Sequence, residues 1–163
     1  MTGMGRTYLL AVMMISALLL SGCKGAKKQN GDKDISNLPK EEQLKEYNKQ
    51  TMRSLPMPLA EGIVMQKVEW EDSMEVYYYS INQKIVDRSL VMENAKHFQT
   101  HPEELLNMGD PDVETMVGLL YELRMGLEYR YVFSDDKDTV SVVYPREALR
   151  NFYAVELLKQ AVQ

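Results

Sequence analysis

Few side chains in this sequence have the types and spacing that chemistry requires. His97 and His101 are the only histidines. Four residues apart on a helix, they would share a face and could chelate zinc. A zinc-protease motif needs glutamate directly after the first histidine, and position 98 is Phe. Pro102 also pushes His101 out of helical geometry. The pair reads better as polar residues at a helix end, where a protonated imidazole suits the dipole. Asp135, Asp136 and Asp138, or Asp110 and Asp112, offer oxygens to calcium, but neither group has the spacing of a calcium loop. Asp is favoured in turns and caps for its own reasons. Glu69, Glu71, Asp72 and Glu75 cluster where a hairpin turn is expected. A glycosidase needs one of two carboxylates raised in pKa inside a cleft, and a solvated turn gives the opposite environment. The sequence has no local Ser-His-Asp or Cys-His signature and no glycine-rich phosphate loop. These residues predict no catalytic centre, metal site or cofactor.

Tyrosines are the more suggestive group. Tyr77-Tyr78-Tyr79 and Tyr129-x-Tyr131 sit in strand-forming runs. With Tyr78 in the core, Tyr77 and Tyr79 would point to the other side of the sheet. Joined by Tyr129 and Tyr131, they would form an amphipathic aromatic surface suited to protein or glycan contact. The competing reading is that the second face is also covered.

The elements that must position these residues follow from pattern. Lys40 to Ser54 is rich in helix formers, with Leu44, Tyr47 and Met52 towards one side, and Leu55-Pro56-Met57-Pro58 stops it. Strands are expected from Gly62 to Trp70 and Met74 to Asn82, about the turn Glu71-Asp72-Ser73. A helix follows from about Gln83 to Gln99, then a short one from Pro102 to Leu106. Asp110-Pro111 caps and opens the next, which runs to about Arg124 with Gly126 as its stop. Leu127 to Ser134 and Thr139 to Tyr144 form a second hairpin about residues 135–138, and Pro145 opens a terminal helix striped by Leu149, Phe152, Tyr153 and Leu157.

A shift of 64 residues superposes Thr51/Thr115, Met52/Met116, Leu55/Leu119, Leu59/Leu123, Gly62/Gly126, Val68/Val132, Asp72/Asp136 and Val76/Val140. This suggests a duplicated unit, about 50–91 and 114–155. The expected fold is α+β: duplicated helix-hairpin-helix units forming a four-stranded antiparallel sheet, with helices packed on one face. The expected buried face carries Val68, Trp70, Val76, Tyr78, Val140, Val142 and Tyr144.

The N-terminus carries the most specific signal. Arg6 is followed by an apolar run, Tyr8 to Leu20, too short to span a bilayer comfortably, and then by Leu20-Ser21-Gly22-Cys23. This resembles the lipobox of bacterial lipoproteins. The resemblance covers residues 1–23 and implies a signal peptide over 1–22, cleavage, and a mature chain beginning at Cys23. A thioether-linked lipid there, with the amine also acylated, would anchor the chain stably where one acyl chain binds only marginally. Cys23 is the only cysteine, so lipidation leaves no thiol for a disulfide, nucleophile or metal. Lys24, where such families place Asp for inner-membrane retention, implies an outer membrane facing the periplasm in a diderm host.

Residues 23–38 read as a flexible basic tether, and 39–163 as a single α+β domain. Residues 24–40 carry five Lys against two Asp, net +3, whereas residues 41–163 carry 13 Lys and Arg against 22 Asp and Glu, net -9. A basic tether suits anionic headgroups, and the acidic balance excludes a nucleic-acid binder. Tether, helix and small duplicated domain together loosely resemble uncharacterised small envelope lipoproteins of diderm bacteria, a likeness that carries no active residues. The expected function is a non-catalytic binding or accessory module acting on an envelope protein partner through its sheet face. The alternative is an envelope-directed hydrolase or hydrolase inhibitor.

Overall fold

A computed structural model describes residues 35–106 and 111–150. The signal segment, Cys23, most of the tether, Asp110, Phe152, Tyr153 and Leu157 lie outside the described residues. The order is α1 (Lys40–Met52), β1 (Met57–Ala60), β2 (Ile63–Glu71), β3 (Met74–Ile81), α2 (Arg88–Thr100), α3 (Pro102–Leu105), α4 (Pro111–Glu122), β4 (Gly126–Phe133) and β5 (Thr139–Tyr144). Residues 146–150 are again helical. Helix α2 starts later than its composition suggests. Asn82 accepts the backbone N–H of Ile85 and Val86 in a turn, and Asp87 then caps the helix by accepting Ser89 N–H at 2.8 Å.

The fold is α+β, but the expected four-stranded antiparallel sheet is wrong. Five strands lie in the order β1-β2-β3-β4-β5, and β3 pairs with β4 in parallel. A parallel neighbour needs a crossover rather than a hairpin, and α2, α3 and α4 all lie on that crossover. The fifth strand is β1, which holds the Pro58 that reads as a helix stop. Proline has no N–H for a ladder, but β1 is an edge strand with one neighbour, where that loss is tolerated.

The core lies between this sheet and the helices, joining Leu44 of α1, Val91 and Phe98 of α2, and Val113, Met116 and Leu120 of α4 to the strands. On the sheet side it takes Val68, Tyr77, Tyr79, Ile81, Leu127, Tyr129, Tyr131, Phe133, Val142 and Tyr144. Of the residues expected on the buried face, Val68, Val142 and Tyr144 belong to this core and Trp70 and Val140 pack against it. Val76 is buried, at 0% exposure, but with half-buried Tyr78 it lies on the other side of the sheet. The cause is the hairpin turn. Asp72 and Ser73 have φ of 45° and 64°, a two-residue turn of the kind that matches strand twist. It pairs Glu71 with Met74, Trp70 with Glu75 and Val68 with Tyr77. From the turn to Lys67 paired numbers sum to an odd value, so even positions of β2 there share a face with odd positions of β3, and a bulge between Met65 and Lys67 then brings Met65 opposite Tyr79 and Ile63 opposite Ile81. Two of the repeat's identities consequently face opposite ways: Val68 and Val140 lie on the core side, Val132 and Val76 on the other.

Gly126 sits inside β4 rather than closing a helix. Arg124 takes the left-handed position after α4, with φ 60°. A Cβ on Gly126 would stand 2.5 Å from Met74 Sδ and 2.8 Å from the Tyr144 carbonyl oxygen. The close approach of Met74 on β3 and of the Tyr144 carbonyl on β5 to the start of β4 thus favours glycine.

Candidate functional site

The four tyrosines expected on an exposed surface are core residues. Tyr77, Tyr79, Tyr129 and Tyr131 are 0–1% exposed. Their rings form a stack running Tyr77–Tyr129 at 5.6 Å, Tyr129–Tyr79 at 6.2 Å and Tyr79–Tyr131 at 5.1 Å. Parallel pairing of β3 with β4 aligns them, with Tyr77 opposite Tyr129 and Tyr79 opposite Tyr131. The register that buries them also buries Glu75, and this defeats a reading that keeps carboxylates out of a core. Glu75 is fully buried, yet it has three donors. Asn48 Nδ2 donates at 2.9 Å and Trp70 Nε1 at 3.1 Å to one oxygen, and Tyr77 Oη donates at 2.7 Å to the other. Burial raises its pKa, with the three hydrogen bonds opposing. No composition signal marks Glu75; the pairing arithmetic of the turn is what locates it.

The opposite face of the sheet carries a polar network across four strands. Arg130 of β4 is its hub. It pairs with both oxygens of Glu128, Nε to Oε1 at 2.7 Å and Nη2 to Oε2 at 3.0 Å. Its Nη1 reaches Glu71 of β2 at 3.0 Å and Tyr78 Oη of β3 at 2.6 Å. Tyr78 also donates to Glu71. Ser141 of β5 donates to Glu128 at 2.7 Å. Lys67 Nζ lies 4.2 Å from the Tyr78 ring centre, and the Arg130 guanidinium carbon lies 5.0 Å from it. Tyr78 is half-buried, and the Arg130 and Glu71 side chains are 25% and 36% exposed. A planar guanidinium holding two carboxylates has its geometry fixed in advance.

The electrostatics define what this face can do. Hydrogen bonds from Tyr78 and then Arg130 hold the Glu71 carboxyl below its ordinary range. Burial works against ionisation of Glu128, but bonds from Arg130 and Ser141 outweigh it and lower that group too. Burial, followed by the bond to Glu71, pushes the Tyr78 phenol up to about 12. General acid–base chemistry at neutral pH needs a group poised near 7, and none of these three is. The network presents fixed charges and one aromatic plane.

The other candidates are held structurally. His97 Nε2 lies 2.8 Å from Glu104 Oε2, and its ring stacks on His101 at 4.4 Å. Among the described residues, no group of three or more His, Cys, Asp or Glu could hold a metal ion. Asp136 and Asp138 both bind Arg88, tying the second turn to the start of α2. Glu69 pairs with Lys67 at 2.6 Å. A surface cavity of about 370 Å³ lies between α2 and β5, lined by Met92, Ala95, Lys96, Gln99, Val140 and Ser141. Beyond it, the Gln99 amide closes the β5 edge, donating to the Val143 carbonyl at 2.6 Å and accepting its N–H at 2.8 Å. Among the described residues, no helix is long and apolar enough to cross a membrane.

No family model matches the chain, and no curated protein matches it. One solved structure is similar, a candidate secreted protein from Pseudomonas aeruginosa determined at 1.60 Å. It shares 14% identity and a TM-score of 0.43 over 75% of this chain and 100% of its own. A likeness at that level carries no functional argument.

Proposed function

We propose that this chain is an exported, lipid-anchored envelope protein whose folded domain is a non-catalytic binding or accessory module. Its contact surface is the sheet face turned away from the helices, centred on Tyr78 and Arg130. One observation carries the reading: a network of Arg130, Glu71, Glu128, Tyr78 and Ser141 is fixed across four strands, with no group tuned to move a proton. The anchor rests on the sequence, with Leu20-Ser21-Gly22-Cys23 supplying the lipid site and Lys24 favouring an outer membrane facing the periplasm. The +3 tether then sits against anionic headgroups and the -9 remainder stands off from them.

The test is crosslinking of the tagged full-length protein in intact cells. Repeated recovery of one envelope complex, lost in the Tyr78→Ser, Arg130→Ala double variant, supports the reading. Unchanged recovery in that variant sinks the proposed face. Recovery of nothing beyond abundant lipoproteins sinks the binding module. Separately, Cys23→Ser is expected to abolish labelling by a fatty-acid probe, and persistent labelling refutes the anchor.

A further inference from the structure

We propose that Glu75 and Tyr77 form a proton-coupled redox pair that traps a one-electron oxidising equivalent as a neutral phenoxyl radical at Tyr77. The inference is independent of the binding face. Tyr77 Oη and Glu75 Oε1 are 2.7 Å apart, and both side chains are 0% exposed. The Tyr77 ring continues into a stack of three more phenols, with centres 5.1–6.2 Å apart. Met116 Sδ lies 3.2 Å from the same hydroxyl. Trp70, half-buried, donates its indole N–H to the other oxygen of Glu75 and so links the pair towards the surface.

The chemistry selects Tyr77 within the stack. A phenol that loses an electron and keeps its proton is a cation, and an unpaired cation in an apolar core is very costly. The hydroxyls of Tyr79, Tyr129 and Tyr131 have no hydrogen-bond partner among the described residues. They have nowhere to send the proton, whereas Tyr77 has a carboxylate in line. An electron vacancy entering through Trp70 or any ring of the stack therefore settles on Tyr77. In the step, an external one-electron oxidant, of the ruthenium(III) or peroxyl-radical class, gains one electron. The Tyr77 O–H bond breaks, and the proton forms an O–H bond on Glu75 Oε1. Tyr77 is left as a neutral radical and Glu75 as a neutral acid. Buried negative charge falls by one, matching the electron removed.

The experiment uses the whole protein over a series from neutral to alkaline pH, since the step requires Glu75 in its carboxylate form. A ruthenium(III) polypyridyl oxidant is generated by a flash with persulfate, followed by freezing and electron paramagnetic resonance. A phenoxyl signal is expected that is largely lost in Tyr77→Phe and in Glu75→Gln and retained in Tyr78→Phe. A signal unchanged in the first two variants, or lost in the third, overturns the proposal. If either core variant fails to fold, high-field spectra of the unsubstituted protein decide. A g-tensor of a hydrogen-bonded phenoxyl fits Tyr77 beside its protonated acid, and that of an unbonded phenoxyl places the radical elsewhere and refutes the pair.

Discussion

Phe substituted for Tyr at positions 77 and 79 is expected to shift stability in opposite directions. The two residues are two apart on one strand, share one stack of rings and are 0% and 1% exposed. They differ in what their hydroxyls touch. Tyr77 donates to the buried Glu75 carboxylate at 2.7 Å, whereas Tyr79 Oη has no partner among the described residues. A hydrogen bond to a charged group contributes about 1.5–3 kcal/mol. Tyr77→Phe loses it and leaves Glu75 with two donors, so a loss of about 2–3 kcal/mol is expected. An unsatisfied buried hydroxyl costs about 1–3 kcal/mol, and its removal from Tyr79, less the small void left behind, returns about 1 kcal/mol. Urea unfolding resolves this. At unchanged m-value, the midpoint is expected to fall for Tyr77→Phe and rise for Tyr79→Phe. Two shifts of the same sign refute the argument, as does a loss of more than about 1 kcal/mol in Tyr79→Phe, which would give that hydroxyl a hydrogen bond after all. Two near-zero shifts return both rings to the surface, where substitutions fall within about 0.5 kcal/mol.

Gly126→Ala is expected to cost about 2 kcal/mol by thermal or urea unfolding, because the new methyl meets the Tyr144 carbonyl at 2.8 Å as well as the yielding Met74 side chain. An unchanged midpoint would show that the Tyr144 carbonyl of β5 stands further from position 126 than this contact requires. The pH dependence of unfolding should carry two opposite signatures. Burial raises the Glu75 carboxyl, so its stabilising contribution is full below the unfolded value and is lost as pH rises through the folded one. Glu71 and Glu128 are lowered, so theirs is present above the unfolded value and lost as pH falls through the folded one. Glu75→Gln should therefore gain on the unsubstituted protein from acid to neutral pH, and a constant difference refutes the assignment. Gln99→Ala releases both backbone groups of Val143 at the β5 edge. Hydrogen exchange at the Val143 amide should accelerate without a global loss of protection, and unchanged exchange there counts against the clamp.

What the sequence made legible, and what it hid, divides at the register. Helix α1 and strands β2, β3, β4 and β5 lie where composition and turn residues place them, because these are local properties. Two features were not local. Pro58 reads as a stop in any single-chain pattern, and only the neighbouring β2 converts Met57–Ala60 into an edge strand. The parallel β3–β4 pair depends on where three intervening helices deliver the chain. The tyrosines depended on one further fact, the length of the 72–73 turn. Alternation along β3 offers two solutions, one turning Val76 and Tyr78 towards the helices, the other Glu75, Tyr77 and Tyr79. Hydrophobicity alone prefers the first, since it spares a carboxylate. The second holds because Asn48 on α1 and Trp70 across the hairpin arrive with Tyr77 to supply hydrogen bonds, a tertiary coincidence that no window of β3 contains. The same step of one residue moved Tyr78 beside Arg130, Glu71 and Lys67. Exchanging the faces thus put chemistry on each side: a satisfied carboxylate and a phenol stack within, and a fixed guanidinium network without. An error of one residue in register exchanged the expected contact surface for the core, because side chains on a strand alternate with a period of two.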